Sequence, residues 1–192
     1  MTNEWDNMAD FWDEHDDVIK YSKKTFVSLN DTIDLKNKRV LDFGCGSGLL
    51  TEKIASKADA VFAMDTSAGM ISVLKNKKIP NVTSYCDELS IDFIKKYAQE
   101  LQTFDIIVAS SVCAFLENYE EILTLLKSLL KPGGVFIQWD WLLQEYKIDE
   151  GFDLRSVKTA LDKVGLSTVC VRYDFSLNEQ KVLKAISVNR VN

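Results

Sequence analysis

The sequence predicts an α/β fold. It is a doubly wound, mostly parallel sheet of seven strands with helices on both faces. An antiparallel hairpin lies at the C-terminus and a small helical cap at the N-terminus. Three observations predict it. Short apolar runs alternate with amphipathic segments from Val40 onward, the pattern of βαβ units with buried parallel strands. The first run ends in Asp42 and is followed by glycines at alternate positions, Gly44, Gly46 and Gly48. The last two strand-like runs are joined by too few residues for a crossover helix, so they must pair antiparallel.

Composition sets the frame. The chain has 192 residues, 46% of them hydrophobic, which suits one domain with a sizeable core. The expected organisation is a single domain over 1–192, with a helical lid or cap at 1–30 and the α/β core at 36–192. The net charge of −6 argues against nucleic acid as the main partner, because phosphate backbones select basic faces. Cys45, Cys86, Cys113 and Cys170 form no C-x-x-C pair and stand far in sequence from the only histidine, His15. No metal site is therefore expected. Thiols in apolar runs, with an opening that is acidic and aromatic rather than basic then apolar, predict a reducing cytoplasm. No run reaches the roughly 20 apolar residues of a membrane helix.

Along the chain, Trp5, Met8, Trp12 and His15 recur at helical spacing, so residues 4–28 predict one or two amphipathic helices. They serve either as packing or as a lid over a ligand site. A polar connector follows, 30–38. The first strand is 39–43 and a helix is expected over 49–57. Ala60 to Met64 is a second strand, ending at Asp65, and Ser67 caps the helix behind it. Pro80 and Asn81 break that helix. Val82 to Cys86 is a third strand, ending at Asp87. Ser90 caps a helix over 91–101. Phe104 to Ala109 is the fourth strand. A helix over 119–130 is stopped by Lys131-Pro132-Gly133-Gly134, and Val135 to Trp139 is the fifth strand. An irregular stretch, 141–152, precedes a helix over 153–164 closed by Gly165. The hairpin strands are 167–174 and 181–190, with Phe175 to Gln180 as their loop.

In a doubly wound sheet, ligand groups collect at the C-terminal strand ends. Those ends carry Asp42, Asp65, Asp87, Ser110 and Asp140. A glycine turn opening a helix lets a ligand approach the backbone and offers it free N–H groups. The spacing G-x-G-x-G, with Leu49 where a dinucleotide fingerprint has its third glycine, argues against a nicotinamide or flavin cofactor. Asp65 stands where a carboxylate accepts from both ribose hydroxyls, and Asp87 where an adenine amino group arrives.

These segments resemble the class I S-adenosylmethionine-dependent methyltransferases, small-molecule branch. Val40 to Gly48 is similar to the family's L-D-x-G-C-G-x-G motif. Asp65-Thr66-Ser67-Ala68-Gly69-Met70 resembles its D-x-S-x-x-M segment, Cys86-Asp87-Glu88 its G-D-A segment and Leu130 to Gly134 its L-K-P-G-G turn. The resemblance covers about 36–190 and implies a Rossmann-like fold with S-adenosylmethionine as cofactor and S-adenosylhomocysteine as product.

It further implies that the backbone at Gly44, Cys45, Gly46 and Gly48 borders the methionine part and that Asp42 faces its amino group. Asp65 would hold the ribose, Thr66 and Met70 would flank adenine, Asp87 and Glu88 would meet its polar edge, and Ser110 would border the cofactor. Many small-molecule members have a pair of histidines after the fourth strand, and Ala114 and Phe115 occupy those places here. The general-base candidates are His15, Tyr21 and Asp140. Trp12, Phe115, Trp139, Trp141 and Tyr146 are candidates for an aromatic acceptor pocket. The expected function is methyl transfer to a small molecule. The alternatives are a non-catalytic or regulatory cofactor-binding protein of the same fold, or a nicotinamide-dependent oxidoreductase.

Overall fold

The computed structural model describes residues 4–101, 103–143 and 151–190. Its strands form one seven-stranded sheet in the order β3-β2-β1-β4-β5-β7-β6. Here β1 is Arg39–Phe43, β2 Ala60–Asp65, β3 Val82–Cys86, β4 Phe104–Ser110, β5 Leu130–Trp141, β6 Ser167–Leu177 and β7 Gln180–Val188. This is the doubly wound, mostly parallel sheet with a terminal antiparallel hairpin that the sequence predicts. The chain divides into two compact units, Met1–Glu88 and Leu89–Asn192.

The first unit holds β1 to β3, all parallel. A 3-10 turn (Glu4–Asn7), α1 (Ala9–Trp12) and α2 (Asp16–Thr32) precede them. Helix α2 thus runs into the expected connector. Helix α3 (Leu49–Ala55) links β1 to β2 and α4 (Ala68–Asn76) links β2 to β3. The strand interiors are apolar because both faces are covered: Val40, Leu41, Val61, Ala63 and Met64 are all buried. Ile71 and Leu74 of α4 pack on Cys45 and Ala63.

The second unit holds β4 to β7 with α5 (Ile91–Lys96), α6 (Ala98–Leu101), α7 (Tyr119–Leu129) and α8 (Leu154–Lys163). The helix expected over 91–101 is broken. Tyr97 leaves helical geometry with its ring on Phe93, at 4.9 Å between centroids, and its carbonyl accepts from Glu100 and Leu101 instead. The Lys131 to Gly134 turn does not lie outside the sheet. Leu130 already pairs with Phe104, and the glycines form an irregularity within β5. There Gly133, at φ +77°, donates to the Asn189 carbonyl at 2.7 Å. The hairpin loop is shorter than expected. Leu177 pairs with Gln180, and Asn178 and Glu179 alone turn the chain, both at positive φ. That geometry matches the right-handed twist of the flanking strands.

Candidate cofactor site

The glycine loop is built on β1 and leans on β2. After Phe43 the N–H groups of Gly44 and Cys45 both donate to the Met64 carbonyl, at 2.9 and 3.0 Å. Gly44, Gly46 and Gly48 all take positive φ, a region that strains residues with a Cβ. Gly48 has a second constraint. A Cβ there would stand 2.3 Å from the Leu74 side chain, so the early third glycine lets the start of α3 pack against α4. Gly46 differs. Among the described residues, a Cβ there would meet only the Trp12 indole nitrogen, at 3.9 Å.

Asp65, the last residue of β2, closes the loop from the neighbouring strand. Its carboxylate accepts from the Gly46 N–H at 2.8 Å and from the Ser67 N–H at 2.9 Å. Burial raises its pKa above the ordinary carboxylate value, outweighing those backbone donors. The residue is only half-buried, and each carboxylate oxygen can accept more than one donor. A vicinal diol can therefore still reach it. Thr66 beside it is exposed. Met70 is buried and donates its N–H to the Ser67 hydroxyl at 3.1 Å, the cap bond expected of Ser67. Asp87 and Glu88 follow β3. The Asp87 carboxylate accepts from the Glu88 N–H at 3.0 Å, and Glu88 is exposed.

Asp42 lies deeper. It is 1% exposed and accepts from the Thr51 hydroxyl at 2.6 Å. Burial pushes its pKa up to about 7, the Thr51 bond opposes the shift and the nearby Asp65 adds to it. A cationic group would relieve that cost. Burial likewise holds the Cys45 thiol well above its usual value, which disfavours the thiolate form.

Among the base candidates, His15 is exposed at the start of α2, edge-on to Trp12 with centroids 6.2 Å apart. Tyr21 is buried in α2.

In the second unit, Ser110 ends β4, half-buried, and Asp140 is fully buried on β5. The Asp140 carboxylate accepts from Gln138 Nε2 at 2.8 Å and from the Ala114 N–H at 3.3 Å, and Gln138 in turn accepts from the Tyr119 hydroxyl at 2.6 Å. Burial pushes its pKa up to about 7. Asp140 thus anchors the loop after β4 through backbone donors. Trp139, on the opposite face of the strand, is 0% exposed and donates from Nε1 to Asp174 at 3.1 Å. Asp174 also pairs with the buried Lys184 at 3.0 Å. Trp139 is core and does not line an acceptor pocket. Phe115 is exposed and Trp141 half-buried, while Tyr146 lies outside the described residues. Among the described residues no group of three or more His, Cys, Asp or Glu could hold a metal ion. No described helix is long and apolar enough to cross a membrane.

Sequence reasoning missed two carboxylates on the N-terminal segment. Asp6 accepts from the Ser67 hydroxyl at 2.6 Å and from the Gly69 N–H at 2.9 Å. Asp13 accepts from the Ser47 hydroxyl, inside the glycine loop, and pairs with Lys77 at 2.7 Å. The available signal was spacing: Asp6, Ala9 and Asp13 share one helical face.

A family model described as a methyltransferase domain matches residues 41–136, half of the chain. The chain belongs to the class I S-adenosylmethionine-dependent methyltransferase family. The matched span begins inside β1 and ends inside β5, so it contains the glycine loop, Asp65 and Asp87. A ubiquinone biosynthesis O-methyltransferase from Coxiella burnetii is 32% identical over 109 residues, 55% of this chain and 44% of its own length. One of the same name from Glaesserella parasuis is 29% identical over 134 residues, 68% of this chain and 56% of its own. The chain therefore spans about half the length of these curated relatives. A solved S-adenosylmethionine-dependent methyltransferase from Aquifex aeolicus superposes with a TM-score of 0.77 at 16% identity, covering 97% of this chain and 99% of that one. At that identity the likeness is one of fold.

Proposed function

We propose that the chain binds S-adenosylmethionine in the first unit and transfers its methyl group to a small molecule. One observation carries this reading: the Gly46 N–H and the Asp65 carboxylate are joined at 2.8 Å, so the glycine loop and the ribose-type acid form one cradle. The cofactor, when bound, supplies a methyl group on a positively charged sulfur, already activated for displacement. Asp65 would hold the ribose hydroxyls. The backbone from Gly44 to Gly48 would back the methionine portion. Asp42 would compensate its amino group, and Thr66, Met70, Asp87 and Glu88 would surround the adenine. With the methyl group activated in advance, the protein's share is alignment and exclusion of water. A base is needed only where the acceptor must lose a proton to attack.

The relatives named O-methyltransferases support oxygen acceptors as the first panel to try. The four free cysteines support a reducing compartment such as the cytoplasm. The reading is tested by calorimetric titration with S-adenosylmethionine, S-adenosylhomocysteine and NAD, followed by labelled-methyl transfer to a panel of phenols, amines and thiols. Micromolar binding of the first two and transfer to one class is expected. Binding of NAD in their place would point to the oxidoreductase. Cofactor binding without transfer to any acceptor class would favour a regulatory binder.

A further inference from the structure

The N-terminal segment touches the cofactor loops through side chains that the reading above does not use. Asp6 and Asp13 act at opposite ends of α4. Asp6 satisfies the Gly69 N–H at its start, where the helix dipole favours a negative charge. Asp13 holds Lys77 at its end. Each carboxylate also reaches one cofactor loop through one serine. The Ser67 N–H donates to Asp65 while its hydroxyl donates to Asp6, so a single residue ties the two acids together. Ser47 lies between Gly46 and Gly48, and its hydroxyl donates to Asp13. The backbones are fitted to this contact. A Cβ on Gly69 would stand 2.9 Å from the Ala9 Cβ and 3.2 Å from the Asp6 Cα, so only glycine lets the segment seat this closely. Ser47 and Ser67 are 1% and 0% exposed.

We propose that Asp6 and Asp13 are positioning residues of the cofactor site. Through Ser67 and Ser47 they fix the Asp65 carboxylate and the glycine loop, and they make the segment from Glu4 to Asp13 a standing wall of that site rather than an opening lid. The proposal rests on the cofactor reading above.

The full chain is compared with Asp6→Ala, Asp6→Asn, Asp13→Ala, Ser47→Ala and the Asp13→Ala/Ser47→Ala double variant. S-adenosylhomocysteine affinity is measured by calorimetry well below each unfolding midpoint. Asp6→Ala and Asp13→Ala should each weaken binding about tenfold, the scale of one charged hydrogen bond. Asp6→Asn, whose amide oxygen still accepts from Ser67 and Gly69, should stay within about threefold of the parent chain. The double variant should bind no more weakly than Asp13→Ala alone. Affinities of both alanine variants within about twofold of the parent, or independent effects of Asp13→Ala and Ser47→Ala, would overturn the proposal. The same cycle is also run on urea unfolding of the cofactor-free chain. If the parent chain binds no S-adenosylhomocysteine but this cycle is non-additive, the cofactor reading fails and the Asp13–Ser47 tie stands. If it is additive, both fail.

Discussion

Asp42 offers a quantitative test of how the first unit is built. The carboxylate is 1% exposed, and its pKa moves from 3.8 to about 7 chiefly through burial. A shift of that size corresponds to about 4 kcal/mol at about 1.4 kcal/mol per tenfold. The sign follows from proton binding. Between about pH 4 and pH 7 the folded state keeps the proton while the unfolded state loses it, so stability falls as pH rises through that window. The full cost is present above pH 7. Asp42→Asn removes the titration and keeps an oxygen for the Thr51 hydroxyl, at about 1–3 kcal/mol for an amide with no assured acceptor. Relative to the parent chain, the variant should therefore gain about 2–3 kcal/mol between pH 5 and pH 8. Asp140, raised in the same direction, is present in both chains and cancels. Urea unfolding followed by circular dichroism at the two pH values measures the difference. An identical stability difference at pH 5 and pH 8 would refute the burial argument.

Two further substitutions probe the packing behind the site and in the second unit. Gly48→Ala places a Cβ 2.3 Å from Leu74 at a φ of +84°, and should cost about 2–4 kcal/mol by overpacking and backbone strain. A lowered thermal midpoint, with Leu74→Ala costing less in the Gly48→Ala chain than in the parent chain, would bear this out, and an unchanged midpoint would not. Lys184→Met leaves Asp174 with its indole donor but without its buried ammonium partner. It should destabilise the fold by about 3–5 kcal/mol, read as a shift in the urea midpoint. A loss below about 1 kcal/mol would mean that the pair is effectively solvated.

What was legible in the sequence follows from where side chains point. Asp42 and Asp65 stand out because each ends an apolar run that is buried on both faces, and Ser67 and Ser90 stand out because both precede helical periodicity. The mostly parallel sheet follows from the alternation of elements, and its antiparallel end from the short final loop. Asp6 and Asp13 were hidden because acids on a short amphipathic segment read as a solvated face. Only the fold shows that Ser47, Ser67 and Gly69 lie opposite them. Trp139 was one of five aromatics expected as candidates for an acceptor pocket, and its indole carries one N–H that must find a partner when buried. That N–H is satisfied by Asp174, 35 residues away on the hairpin, a partner that local spacing cannot reveal. Lys131 to Gly134 carry strong stop signals, yet Leu130 pairs with Phe104 before them and β5 continues past them. Long-range pairing there overrides local propensity.

The central claim is that Asp65, held by the Gly46 and Ser67 amides, is the ribose partner of S-adenosylmethionine. Calorimetric titration of S-adenosylhomocysteine into the parent chain and Asp65→Ala tests it most directly. Loss of two hydrogen bonds to a carboxylate should weaken binding by about a hundredfold or more with the fold intact. Equal affinity in the two chains would contradict the assignment.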